Sequence, residues 1–100
     1  MLVYKVFTKP DFESFVSNGK TKGSHADLRD GFIHFSTREQ LFSTIKKHFS
    51  FNKLVFVLAF EECSLKHKLR WESSRNLKLF PHYYGCLWNS QVLYSIQLET

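Results

Sequence analysis

The sequence predicts an α+β fold in a single domain, residues 1–100, with a β-sheet and two main flanking helices. Three observations carry that expectation. A chain of 100 residues has the size of one domain. Its hydrophobic content, 43% with 11 Phe, is enough to build a core and excludes a disordered chain. Its apolar segments follow the order strand, helix, strand, helix, strand and then a strand-rich half, which favours α+β over a doubly wound sheet.

The first element is Leu2-Val3-Tyr4-Lys5-Val6-Phe7, β-branched and aromatic, and therefore a strand. Thr8 can cap a short helix that has Pro10 in its first turn and Asp11 and Glu13 near its positive end. Phe12, Phe15 and Val16 share one face of it, and Gly19 can end it. Lys20 to Asp30 is polar and punctuated by glycine, which predicts a loop. Gly31 to Ser36 reads as a second strand. Ser36 and Glu39 have capping-box spacing, so a helix is expected to start directly after Ser36. Leu41, Phe42, Ile45 and Phe49 form its apolar stripe, with Lys46, Lys47 and His48 near its negative end. Lys53 to Phe60 is an unbroken apolar strand, central and covered on both faces. A further strand is expected within Leu65 to Glu72, and Val92 to Leu98 alternates as a final one. Leu79 to Gly85 contains Pro81 and Gly85, which argues against a regular central strand there.

The net charge is +5, and most of it is local. Between Ser64 and Ser90, Lys66, Lys68, Arg70, Arg75 and Lys78 face a single acid, Glu72. Such a stretch fits RNA or a phosphate-bearing ligand, and equally a solvated strand edge guarded by lysines. The longest apolar run, Leu54 to Phe60, has 7 residues against the ~20 of a membrane helix, and the first ten residues do not read as a signal peptide. No membrane association is expected, and the expected location is the cytoplasm. Cys63 and Cys86 exclude a disulfide framework and read as reduced, structural thiols. No glycine-rich phosphate loop or nucleophile elbow is present.

Candidate chemistry concentrates in two places. Strand periodicity puts Phe32, His34 and Ser36 on one face, with Ile33 and Phe35 on the other. His34 so placed can donate to a phosphate or ribose hydroxyl, or act as general acid or base. It can equally be a core histidine satisfied by a backbone carbonyl. The second place is Trp71-Glu72 followed by Leu79-Phe80-Pro81-His82-Tyr83-Tyr84-Gly85, where His and aromatic residues around a turn would form a stacking pocket. Glu72 is its acid; it is alternatively a structural ion-pair partner of Arg70 or Arg75. A metal held by His34, His82 and Glu72 would require the three to converge, and no metal is expected. His25, His48 and His67 read as surface residues.

These stretches resemble a known family. Gly23 to Thr37 (GSHADLRDGFIHFST), Leu69 to Ser74 (LRWESS) and Leu79 to Gly85 (LFPHYYG), in this order, are similar to motifs of the domain-of-unknown-function 952 family. The family tends to carry glycines where this chain has Asn76-Leu77-Lys78. The resemblance implies a small, bacterial-type, cytosolic domain whose fold is ADP-ribosyltransferase-like, with a curved, split β-sheet. Within that broad fold, Ile33-His34-Phe35-Ser36 looks similar to the histidine strand of the tRNA 2′-phosphotransferases, which use NAD. Tyr4-Lys5 departs from the His-Gly or Arg usual at that position. The implied ligand is NAD or another nucleotide phosphate, with ADP-ribosyl- or phosphotransferase-like chemistry. His34, Glu72 and His82 are then the catalytic candidates, and Tyr4, Ser36, Trp71, Arg75, Phe80 and Tyr84 the ligand-binding ones. The alternative is a non-catalytic RNA- or protein-binding module using the basic 64–90 segment. Fold analogy alone does not decide between them.

Overall fold

The apolar, β-branched start of the chain forms strand β1 (Leu2–Thr8), which pairs along its whole length with β4 (Leu54–Glu61). The computed structural model describes residues 1–74 and 77–100. On its other side β4 pairs with β8 (Val92–Glu99), so the main sheet is antiparallel in the order β1-β4-β8. Helix α1 (Lys9–Asn18) follows β1 directly. The Asp11 N–H donates to the Thr8 hydroxyl, and Gly19 closes the helix in the left-handed conformation, φ 76°.

Alternation along β1 separates two cores. Val3 and Phe7 face one side, packing with Phe15, Ile33, Phe35, Leu58, Phe60 and Tyr83. Tyr4 and Val6 face the other, where they meet Val55, Val57 and Ala59 under Leu41, Ile45 and Phe49 of the next helical region. Lys5 lies between Val3 and Phe7 and is therefore carried into the first side of the sheet, where only 5% of it is exposed. A second antiparallel sheet covers the first core. Its order is β3 (Ile33–His34), β6 (Leu79–Tyr83), β5 (Leu69–Ser73). A short pair, β2 (Lys20–Thr21) with β7 (Leu87–Trp88), links the α1 end to the late chain. The fold is thus a mixed α/β domain with antiparallel sheets and four helices among the described residues: α1, α2 (His25–Asp30), α3 (Leu41–His48) and α4 (Glu62–Leu65). None is long and apolar enough to cross a membrane.

Several expectations need correction. The predicted loop at 20–30 holds β2 and α2. The Ser24 hydroxyl accepts from the Asp27 N–H (3.2 Å) and the Asp27 carboxylate accepts from the Ser24 N–H (2.8 Å), a reciprocal cap with Asp in place of Glu. The α3 region starts later than expected. Ser36 forms a bridge to Tyr4 of β1, and the reciprocal side-chain pair is Thr37 with Gln40, ahead of a helix that begins at Leu41. Phe42, predicted on the apolar stripe, is exposed, as is Val16 of α1. Cys63 is exposed rather than buried, and both cysteines are free.

Pro81 sits in the middle of β6, at the centre of its sheet. It is tolerated because its missing N–H falls where β3 ends. Phe35 N–H donates to Pro81 O (3.0 Å), no N–H exists to return the bond, and the β3–β6 ladder stops at His34.

Candidate functional site

The outer face of the β3-β6-β5 sheet gathers the polar chemistry. His34 pairs with His82, and His82 with Arg70; Phe80 pairs with Glu72. Directly opposed residues share a face, so His34, His82, Arg70, Phe80 and Glu72 lie together, and Tyr84 continues the same alternation. Tyr83 and Pro81 point the other way into the core. Phe32, just before β3, stacks on His82 (centroids 4.0 Å) and lies tilted against His34 (4.6 Å) and Tyr84 (5.4 Å). The two imidazoles are 5.7 Å apart, edge to face.

Each imidazole is held by a carboxylate through Nδ1. For His82 the partner is Glu72 Oε1 (2.8 Å), which also accepts from the Tyr84 hydroxyl (2.7 Å). The Arg70 guanidinium lies over the Tyr84 ring, 5.1 Å from its centroid, rather than pairing with Glu72 in an ion bridge. The Tyr84 hydrogen bond first, and then the His82 one, hold the Glu72 carboxyl below its usual range; the same carboxylate pushes the Tyr84 hydroxyl up. A Tyr84→Phe variant should therefore raise the Glu72 pKa toward the ordinary 4.5, which a carbon-13 carboxyl titration would read. An unchanged Glu72 titration would place the cause elsewhere.

For His34 the Nδ1 partner is Asp27 Oδ1 (2.6 Å), and the same oxygen accepts from the His34 backbone N–H (3.2 Å). The other oxygen of Asp27 takes the Lys5 ammonium (2.7 Å) and the Ser24 N–H. Asp27 therefore closes the free edge of β3, caps α2 and neutralises the one lysine buried under the main sheet. Burial opposes its charge, but the His34 hydrogen bond and the Lys5 ammonium outweigh burial and hold the carboxyl far below the usual carboxylate range. Burial pushes Lys5 down in turn, against the pull of Asp27. On the open side, His34 Nε2 lies 3.0 Å from Asp30 Oδ2. A shallow, open concavity of about 310 Å³ lies beside this group, with Lys22, Asp27, Leu28, Phe32 and Cys86 among its walls.

The predicted site residues divide. The structure brings His34, Glu72, His82, Phe80 and Tyr84 to one face. Trp71 alternates to the opposite face of β5, packs against the core and donates from Nε1 to Glu62 Oε2 (3.1 Å). Ser36 is 2% exposed, with its hydroxyl 2.8 Å from the Thr44 hydroxyl. Tyr4 is buried in the second core, where interaction with Tyr94 and burial raise its hydroxyl pKa. Arg75 lies outside the described residues. Asp27, Asp30, Lys5 and Phe32 complete the constellation without having been singled out as site residues. The signals that could have found them are the capping-box spacing of Ser24 and Asp27, inside a stretch read as a loop, and a lysine inside an apolar strand, which implies a buried carboxylate elsewhere.

A mixed α/β domain with a carboxylate-held histidine pair on the outer face of its second sheet is the class that this geometry defines. The sequence profile of the family described as "Protein of unknown function (DUF952)" matches residues 6–95, and the chain belongs to that family. Its fold is shared by protein CC0527 from Caulobacter crescentus. The crystal structure of that protein is 36% identical over 99% of this chain and 87% of that one, with a TM-score of 0.94. Its solution NMR structure matches at 37% identity over 98% and 84%, with a TM-score of 0.87. No curated protein matches the chain.

Proposed function

We propose that this protein binds a nucleotide-like, phosphate-bearing ligand of the NAD class on the outer face of the β3-β6-β5 sheet, with acid–base group-transfer chemistry there. One observation carries the reading: two imidazoles 5.7 Å apart on one face, each oriented by a carboxylate at Nδ1 and flanked by aromatic rings. A carboxylate at Nδ1 fixes the hydrogen on that nitrogen, which leaves Nε2 of His82 as the proton-transfer atom. Glu72, kept ionised by Tyr84 and His82, is the group to orient a ribose hydroxyl or to stabilise positive charge developing on the sugar. Phe32, Phe80 and Tyr84 supply surface for a flat ring. The division of the long strands between two three-stranded antiparallel sheets, with the first core between them, supports an ADP-ribosyltransferase-like assignment. Two free cysteines suit a cytoplasmic setting.

Titrating NAD and ADP-ribose into nitrogen-15-labelled protein tests this. The signals of Phe32, His34, Glu72, His82 and Tyr84 should move together and saturate. Shifts confined to exposed Lys66, Lys68 and Lys78, falling steeply with salt, would replace this reading with the basic RNA-binding one.

A further inference from the structure

We infer that His34 Nε2 and the Arg29 guanidinium form an oxyanion subsite, and that the Asp30 carboxylate fills it as an internal stand-in for a ligand's phosphate oxygens. The inference deepens the ligand class proposed above and rests on that reading for its biological meaning. Its physical basis lies in how differently the two carboxylates hold one histidine.

Asp27 is built in. It is 2% exposed and its two oxygens meet four donors: the His34 N–H and Nδ1 on one, and Lys5 Nζ and the Ser24 N–H on the other. It fixes the ring and presents Nε2 outward. Asp30 has no comparable anchoring. Its side chain is 35% exposed, and among the described residues its two oxygens meet only Arg29 Nε (3.1 Å, Oδ1) and His34 Nε2 (3.0 Å, Oδ2). It is also the last residue of α2, where the helix dipole disfavours a negative charge. Arg29 chiefly, with a further contribution from His34, holds its carboxyl below the usual range.

One carboxylate thus bridges an imidazole and a guanidinium, each through a separate oxygen. With the His34 ring protonated on both nitrogens, each facing a carboxylate, that is the donor pair a phosphate would engage, and Arg suits two-oxygen recognition. Exposed ion pairs contribute little, so an incoming oxyanion can displace Asp30 at small cost. Displacement releases both donors at once. Arg29, exposed and adjacent in sequence, then follows the ligand, while Asp27 keeps His34 in place.

Inorganic phosphate is the probe, with the His34 ring nitrogens followed by NMR in the full-length protein. Asp30→Ala should tighten phosphate binding about fivefold, the scale of one exposed ion pair, with the His34 Nε2 resonance reporting the change. Adding Arg29→Ala to that variant should abolish the gain, and so should adding His34→Gln. An unchanged or weaker affinity in Asp30→Ala would overturn the inference. So would an equal gain from Glu13→Ala, which makes the same charge change on α1 and would point to the general field of the protein. Because Arg29 and Asp30 are both on the surface, their variants keep the test open even if His34→Gln fails to fold. Phosphate captured at His34 without any NAD binding would leave this subsite standing and remove the ligand class; NAD binding with Asp30→Ala silent would do the reverse.

Discussion

Asp27→Asn should reduce the stability of the fold by about 3–5 kcal/mol, the range seen when one partner of a buried ion pair is removed. Lys5 cannot reach water: its side chain is 6% exposed and it projects between Val3 and Phe7 into the first core. Without the Asp27 charge, burial acts on the ammonium with little opposition, and the amide keeps one acceptor oxygen where the carboxylate had two, so either the His34 donors or the Lys5 and Ser24 donors face an NH2. A small domain is stable by only about 5–15 kcal/mol, so the loss is a large part of the whole. Urea unfolding measures it, as a lower midpoint with an unchanged slope. Replacing both partners, Asp27→Asn with Lys5→Met, should recover much of the stability, because no uncompensated charge remains. A single-variant cost below about 1 kcal/mol would mean that the pair is not buried in solution.

The same group sets a pH dependence. Folding depresses the Asp27 pKa below its ordinary 3.8, so its contribution is fully present above that value. As pH falls below it, the unfolded chain takes up the proton first, and stability is lost progressively toward the folded-state pKa. Asp27→Asn should flatten this part of the acid limb.

Gly23→Ala should cost about 2–4 kcal/mol, through backbone strain and a collision with the same carboxylate. Gly23 has φ +109°, a conformation that residues with a side chain rarely adopt, and a Cβ there would stand 2.5 Å from both Cβ and Oδ2 of Asp27. Neither atom can yield easily, since Asp27 is tied to Lys5, Ser24 and His34. The variant should therefore disturb the His34 ring resonances as well as stability. Gly19→Ala provides the contrast. It also needs a positive φ, +76°, but a Cβ would meet nothing within 4 Å, so about 1 kcal/mol is expected. Thermal unfolding of the two variants compares them, and equal costs would remove the collision from the explanation.

Much of the fold was legible in the residues. The apolar run at 54–60 predicted a strand covered on both faces, and β4 is the middle strand between two cores. Thr8, Pro10 and Gly19 marked α1 at both ends. The alternation of Phe32, His34 and Ile33 correctly separated outer from inner side chains. The same alternation misplaced Ser36, because the pairing partner changes after His34. Phe35 still bonds to β6, whereas Ser36 bonds to β1 and its side chain turns to Thr44. Trp71 and Glu72 looked like one motif in sequence, yet neighbours on a strand face opposite ways, so only Glu72 reaches the site. Pro81 argued against a central strand, and only the two-residue length of β3 explains why a central strand accommodates it.

By themselves, the residues determined the α+β class, most of the long strands, the first helix and the family, because these depend on periodicity, caps and local order along the chain. They also singled out His34, Glu72 and His82 as the catalytic candidates. Only the tertiary structure decided that these three share a face, and that Lys5 and Asp27, 22 positions apart in the chain, hold one of them. Pairing of a buried charge is a long-range requirement. A lysine among apolar residues announces that a carboxylate must exist, and the folded backbone selects which one.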